Sequence, residues 1–150
     1  MIEQQIASIA RNLIDICGIE KVYLDDVPEE FETPSLYIPF PESVDNTFDS
    51  VDTFRRDYVV YINIFHNTTT QAMEVADDVC LNLYSQNLKV PIIRVNGSLD
   101  SSYLKLDKCT SSKIDNGVSQ VAIQWHNVLK SLDEPIEYFD KLTVESYLKE

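Results

Sequence analysis

The chain has 150 residues, 44% of them hydrophobic and 25% charged, and a formal net charge of −13. That length and apolar content suit one ordered domain, and with only 3 Gly and 6 Pro they exclude global disorder and collagen-like or low-complexity chains. The charge argues against wrapping nucleic acid, which takes Lys and Arg to displace phosphate counterions, and against anionic membrane surfaces.

Ile2, Ile6, Ile9, Leu13 and Ile16 recur at helical spacing and predict an amphipathic first helix, which Gly18 stops. The first residues lack the basic region of a secretory signal, and no apolar run approaches the roughly 20 residues of a membrane span, so a cytoplasmic origin is expected. Residues 21–24 predict a short strand. Residues 25–33 form an acidic loop bracketed by Pro28 and Pro34, with Phe31 as its one large apolar residue. Residues 35–38 predict a second strand, closed by Pro39 and Pro41, which cannot donate ladder hydrogen bonds. Residues 42–52 are polar and acidic without periodicity and predict a long, exposed, mobile loop.

From Phe54 the period becomes two. Tyr58, Val60, Ile62 and Ile64 share the face expected to be core, while Arg55, Asp57, Val59, Tyr61, Asn63 and Phe65 share the other. Thr68, Thr69 and Thr70 are helix N-cap candidates, and Ala72, Met73, Ala76, Val79, Cys80 and Leu83 form the stripe of a second helix. Residues 90–95, with Pro91 near the start, predict a strand near a sheet edge. Residues 102–114 and 118–129 flank Asp115-Asn116-Gly117, the clearest hairpin signal in the chain. In the last strand Val121, Ile123 and Trp125 point inward. Residues 133–150 are too apolar for a free tail and are expected to form a docked C-terminal arm or short helix. The order of elements predicts a single α+β domain over 1–150, with a mainly antiparallel mixed sheet of about five to six strands packed with two helices.

Chemistry-bearing motifs are sparse. His66 and His126 lie in no HExxH pattern, and a hydrogen-bonded or exposed strand histidine is the stronger reading of each. Asp25-Asp26 and Glu29-Glu30 lack the spacing and the glycine of a calcium loop and read as solvated charge. No phosphate-binding, dinucleotide or nucleophile-elbow motif occurs in the sequence. Cys17, Cys80 and Cys109 are too widely spaced for a zinc site or a disulfide framework, and Cys17 and Cys80 are expected to be buried free thiols. No catalytic, metal or cofactor residue is therefore assigned, and an enzyme ranks last among the readings.

The charge is uneven. Residues 22–54 contain no Lys or Arg but nine acidic residues, and Arg55-Arg56 ends that window. The ordinary reading is surface charge of little individual worth. The sharper one is that the arginines pair with the acidic loop of an adjacent copy, although consecutive strand residues face opposite ways.

The segment x-x-Val-Pro-x-x-Phe-x-x-Pro-x-x-x-Ile at Asp25 to Ile38, the Arg-Arg-x-Tyr opening at Arg55 to Tyr58 and the Asp-x-Gly turn at Asp115 to Gly117 follow an N-terminal helix in this order. The pattern covers most of residues 1–132 and resembles the tail terminator (tail completion) proteins of tailed bacteriophages. Gln124-Trp-His-Asn127 departs from the more aromatic ending of that family, and the last 18 residues have no distinctive match. The resemblance implies a non-catalytic virion subunit, assembled in the host cytoplasm, that forms a hexameric ring at the head-proximal end of the tail. Such a ring caps the tail tube, ends its polymerisation and faces the head connector, and DNA passes through it without specific binding. Asp45, Phe48, Asp49, Arg55 and Arg56 are the candidate residues of the subunit or tube interface. The alternatives are a head-completion or connector protein of the same system and an acidic intracellular binding or regulatory module.

Overall fold

A computed structural model describes residues 2–24, 27–41 and 43–131. The proposed arm at 133–150 lies outside them. Helix α1 spans Ile2–Cys17 and α2 spans Thr69–Ser85. The strands are β1 (Val22–Tyr23), β2 (Ser35–Tyr37), β3 (Ser43–Phe48), β4 (Thr53–Phe65), β5 (Lys89–Ile93), β6 (Leu99–Asp115) and β7 (Val118–Lys130). They form one seven-stranded sheet in the order β1-β2-β4-β7-β6-β5, with β3 also paired to β4. Among the described residues only the β1–β2 pair is parallel. The α+β class, the two helices and the mainly antiparallel mixed sheet agree with the sequence expectation.

The alternation in β4 places Tyr58, Val60, Ile62 and Ile64 in the core, and β7 places Val121, Ile123 and Trp125 opposite them. Leu104, Leu106 and Cys109 of β6, Val90 of β5 and Leu36 of β2 extend this apolar face. Both helices pack on it. Helix α2 opens where Thr68, in extended geometry, accepts a 3.2 Å hydrogen bond from the Gln71 amide. Its Ala72, Ala76, Val79 and Leu83 are fully buried, while Met73 and Cys80 stand at the margin. Strand β5 ends the sheet, the place where Pro91 can lack a ladder donor.

Helix α1 is rotated relative to its aliphatic stripe. Its buried residues are Gln5, Ser8, Ile9 and Leu13, and Ile2, Ile6 and Ile16 lie at the margin. Both buried polar side chains are satisfied, as burial requires. Gln5 Oε1 accepts from Trp125 Nε1 at 2.9 Å and Asn127 Nδ2 at 3.1 Å, and Gln5 Nε2 donates to Asn127 Oδ1 at 2.7 Å. Ser8 Oγ donates to the Gln4 carbonyl and accepts from the Ile93 amide at 3.0 Å, which ties α1 to β5. Trp125 thus lies against the first helix, and its ring stacks on Tyr58 at 5.3 Å.

Residues 43–52 do not form the long loop that the composition of 42–52 suggests. Ser43–Phe48 forms β3, paired residue for residue with β4 from Ser43↔Val59 to Phe48↔Phe54. The turn closes with the Asp49 and Ser50 amides donating to the Thr53 carbonyl. Residues 44–48 are exposed, so the strand buries no face and leaves no alternating signature. It is held by its backbone ladder to a strand that the core already fixes.

Strand β6 contains a bulge. Leu106 pairs with Trp125 and Lys108 with Gln124, so Asp107 is the extra residue. Leu104 and Leu106 face inward, and strict alternation would send Lys108 inward next. The bulge instead turns Lys108 out and Cys109 in.

Candidate functional site

All five residues singled out for an interface, Asp45, Phe48, Asp49, Arg55 and Arg56, lie on or next to the β3–β4 hairpin. The hairpin is an extension of the sheet. Strand β2 covers one edge of β4 at residues 63–65, and β3 covers the same edge at residues 54–59. The pleat then sorts the side chains onto two faces.

On one face stand Phe48, Phe54 and Arg56. With Asn46, Thr47 and Ser131 they line a shallow groove of about 400 Å³. Phe48 is 82% exposed, and Val51 in the turn is fully exposed. The Arg56 guanidinium lies 5.7 Å from the centre of the Tyr58 ring, a cation–π contact within the chain.

The opposite face carries charge. Asp45 and Asp57 are directly opposed across β3 and β4, an arrangement that repels unless a cation intervenes. Arg55 offsets the charge of Asp57. Its Nε donates to Asp57 Oδ1 at 2.6 Å, and its Nη2 lies 3.5 Å from Asp107 Oδ2. The hydrogen bond to Asp57, followed by the field of Asp57, Asp107 and Asp49, raises the guanidinium pKa further above its ordinary value. His126, paired with Asp57 in register, places Nδ1 2.7 Å from Asp107 Oδ2. Donor atoms of Asp57, Asp107 and His126 lie within 4.8 Å of one another. That spacing is within the range of a cation site, but the Arg55 guanidinium already balances the negative charge that the two carboxylates would offer to a cation.

Arg55 and Arg56 therefore both have partners inside the chain, on opposite faces. Sequence reasoning missed Asp57, Asp107 and His126 as the neighbours of Arg55. Asp57 was within reach, since i and i+2 share a strand face. Asp107 was not, because the bulge that carries it leaves no pattern in the sequence.

A second groove, of about 250 Å³ and largely apolar, lies between Ile6, Ala7 and Ala10 of α1 and Leu24, Ile38 and Phe40. Among the described residues no helix is long and apolar enough to cross a membrane.

No protein-family model matches the chain. Two proteins of Bacillus subtilis (strain 168) are similar to it. It is 26% identical over 122 residues to the uncharacterized protein YqbJ, covering 81% of this chain and 82% of that protein. It is 27% identical over 104 residues to the phage-like element PBSX protein XkdJ, covering 69% of this chain and 70% of that protein. Among solved structures, a chain of the virion of a native gene transfer agent particle superposes with a TM-score of 0.49 at 10% identity, over 86% of this chain and 96% of that one. The chain thus has a relative in a phage-like element.

Proposed function

We propose that the chain is a non-catalytic structural subunit of a phage-type virion, a tail terminator whose copies form a hexameric ring. The ring caps the tail tube at its head-proximal end, ends tube polymerisation and presents a surface to the head connector. The observation that carries this reading is the similarity to the PBSX protein over more than two thirds of both chains. The hairpin supports it, because it offers aromatic surface at the tip of an ordered ladder where Phe48 has little cover.

In this reading Asp45, Phe48, Asp49, Arg55 and Arg56 form the subunit or tube interface. Phe48 is the anchor. Asp45 and Asp49 supply charge that sets register and encounter rate more than affinity. Arg55 and Arg56 act mainly by holding the hairpin's two faces in shape. The acidic surface lets DNA pass without retention, since phosphates find few cations to bind.

The test is sedimentation of the purified chain, alone and with tail tubes, followed by electron microscopy of particles made without its gene. Rings of about six copies, and tails of uncontrolled length in the gene's absence, are expected. A chain that stays monomeric with tubes present, together with tails of normal length in its absence, overturns the proposal. Phe48→Ser is the cleanest probe of the surface. Arg55→Glu would also set a new negative charge against Asp57 and Asp107 and so confound assembly with folding.

A further inference from the structure

Cys80 and Cys109 come from elements far apart in sequence, yet their sulfurs lie 3.0 Å apart. Two features bring them together. The bulge at Asp107 turns Cys109 inward beneath α2. One turn beyond Cys80, the Tyr84 hydroxyl accepts a 3.4 Å hydrogen bond from the Cys109 amide, which fixes helix against strand. Cys109 is buried, whereas Cys80 is half-buried at the margin of α2 and open to a small reagent.

We propose that Cys80 and Cys109 are a redox-active pair that closes into a disulfide between α2 and β6 when the protein meets a small-molecule disulfide. The inference does not rest on the virion reading. The sulfurs need approach by only about 1 Å to reach the bond length of about 2.05 Å, a movement within the reach of side-chain rotation.

The two thiols have different roles. The Cys109 thiol, and after it the Ser111 hydroxyl, stabilise a Cys80 thiolate and lower its pKa. Cys109 is shifted the other way, by its bond to Cys80 and by burial, and keeps its proton. The Cys80 thiolate attacks one sulfur of RS–SR, a Cys80–SR bond forms, and RS⁻ leaves. Cys109 then gives up its proton and attacks the Cys80 sulfur, expelling the second RS⁻. Two electrons pass from the cysteines to the reagent, and the two thiol protons end on two RSH. In a reducing thiol pool the pair stays open, and outside one it closes.

The experiment exposes the folded, full-length chain to oxidised glutathione, quenches with acid, and reads intact mass, free thiols and linked peptides. The expected result is a fall from the three free thiols of the reduced chain to one, on Cys17, with the loss of two hydrogens and a Cys80–Cys109 peptide. Closing a loop between cysteines 29 residues apart raises Tm by roughly 10 °C. Cys109→Ser should stop at a stable glutathione adduct on Cys80, and Cys80→Ser should take up none on Cys109. Three free thiols in the oxidised wild type, an adduct that persists on its Cys80, or linkage through Cys17 overturns the proposal.

Discussion

Strand β4 runs through two different environments. From Tyr58 to Ile64 one side of it lies under α1 and α2, and every inward side chain is at least 95% buried. From Thr53 to Asp57 the strand carries β3 beyond that cover, where Phe48 and Val51 stand in solvent. The backbone ladder is continuous across both halves. What changes is how the ladder is supported, by packing in one half and by hydrogen bonds and ion pairs in the other. A surface meant for assembly has to keep apolar groups available while remaining ordered, and the second half meets both conditions. The comparison predicts that substitutions in the covered half damage folding and that those on the hairpin damage association.

The largest effect should come from Trp125→Ala. It removes the stack on Tyr58, opens a cavity beneath α1 and deprives Gln5 Oε1 of a partner. Denaturant unfolding should show a loss of about 3–5 kcal/mol. Trp125→Phe keeps most of the volume but leaves Gln5 Oε1 with Asn127 alone, and about 1–3 kcal/mol is expected. Equal, small losses in both variants would place Trp125 outside the core and remove the contrast between the two halves.

Gly117→Ala comes next. Gly117 has φ +72°, and a Cβ there would stand 2.9 Å from the His66 carbonyl oxygen. Neither atom can retreat easily, because the His66 amide donates to the Gly117 carbonyl and the Gly117 amide donates to Thr69 Oγ1, both at 2.9 Å. A loss of about 1–3 kcal/mol is expected. Gly97 has φ +86° but open space around its Cβ position, so Gly97→Ala should cost less. Comparable losses at the two sites would mean that the approach to His66 contributes nothing. Thr68→Ala, which removes the cap of α2, should lower stability by about 1 kcal/mol, read in the same unfolding experiment.

These differences follow what the sequence could and could not express. The core strands were legible because burial of one face imposes a period of two, as at Val60, Ile62 and Ile64. The Asn116-Gly117 turn and the Thr68 cap were legible because each uses local chemistry. Strand β3 was not, since a strand with no buried face has no reason to alternate. The buried roles of Gln5 and Ser8 were also hidden, because a polar residue reads as surface until its partners, here Trp125, Asn127 and the Ile93 amide, are brought to it by the fold. The same holds for the cysteines. Cys17 and Cys80 were expected to be buried but are half-exposed, and Cys109 is the buried one. The bulge that turned Cys109 inward breaks the alternation that sequence reasoning depends on. The candidate interface residues fall together on the hairpin because they are close in sequence, but the internal partners of Arg55 and Arg56 depend on β6, β7 and the pleat.

The smallest expected effect on stability belongs to Phe48→Ser. Phe48 lies opposite Phe54 at the end of the ladder and is 82% exposed. Its removal therefore uncovers little, and unfolding free energy should move by no more than about 0.5 kcal/mol. Association should respond differently. An aromatic ring centred in an interface is the kind of residue whose loss weakens a contact by about 2 kcal/mol or more, roughly thirtyfold. In a closed ring the same contact recurs between every pair of neighbours, so a modest loss at one contact becomes failure of the ring. If the chain forms the proposed ring, sedimentation of the variant should show folded monomer at concentrations where the wild-type ring forms, and Phe48→Leu should restore part of the assembly. Wild-type assembly by Phe48→Ser would remove the hairpin tip from the interface. A stability loss above about 1.5 kcal/mol would show instead that Phe48 is already packed in the free chain, and the contrast between the two halves of β4 would then fail at its exposed end.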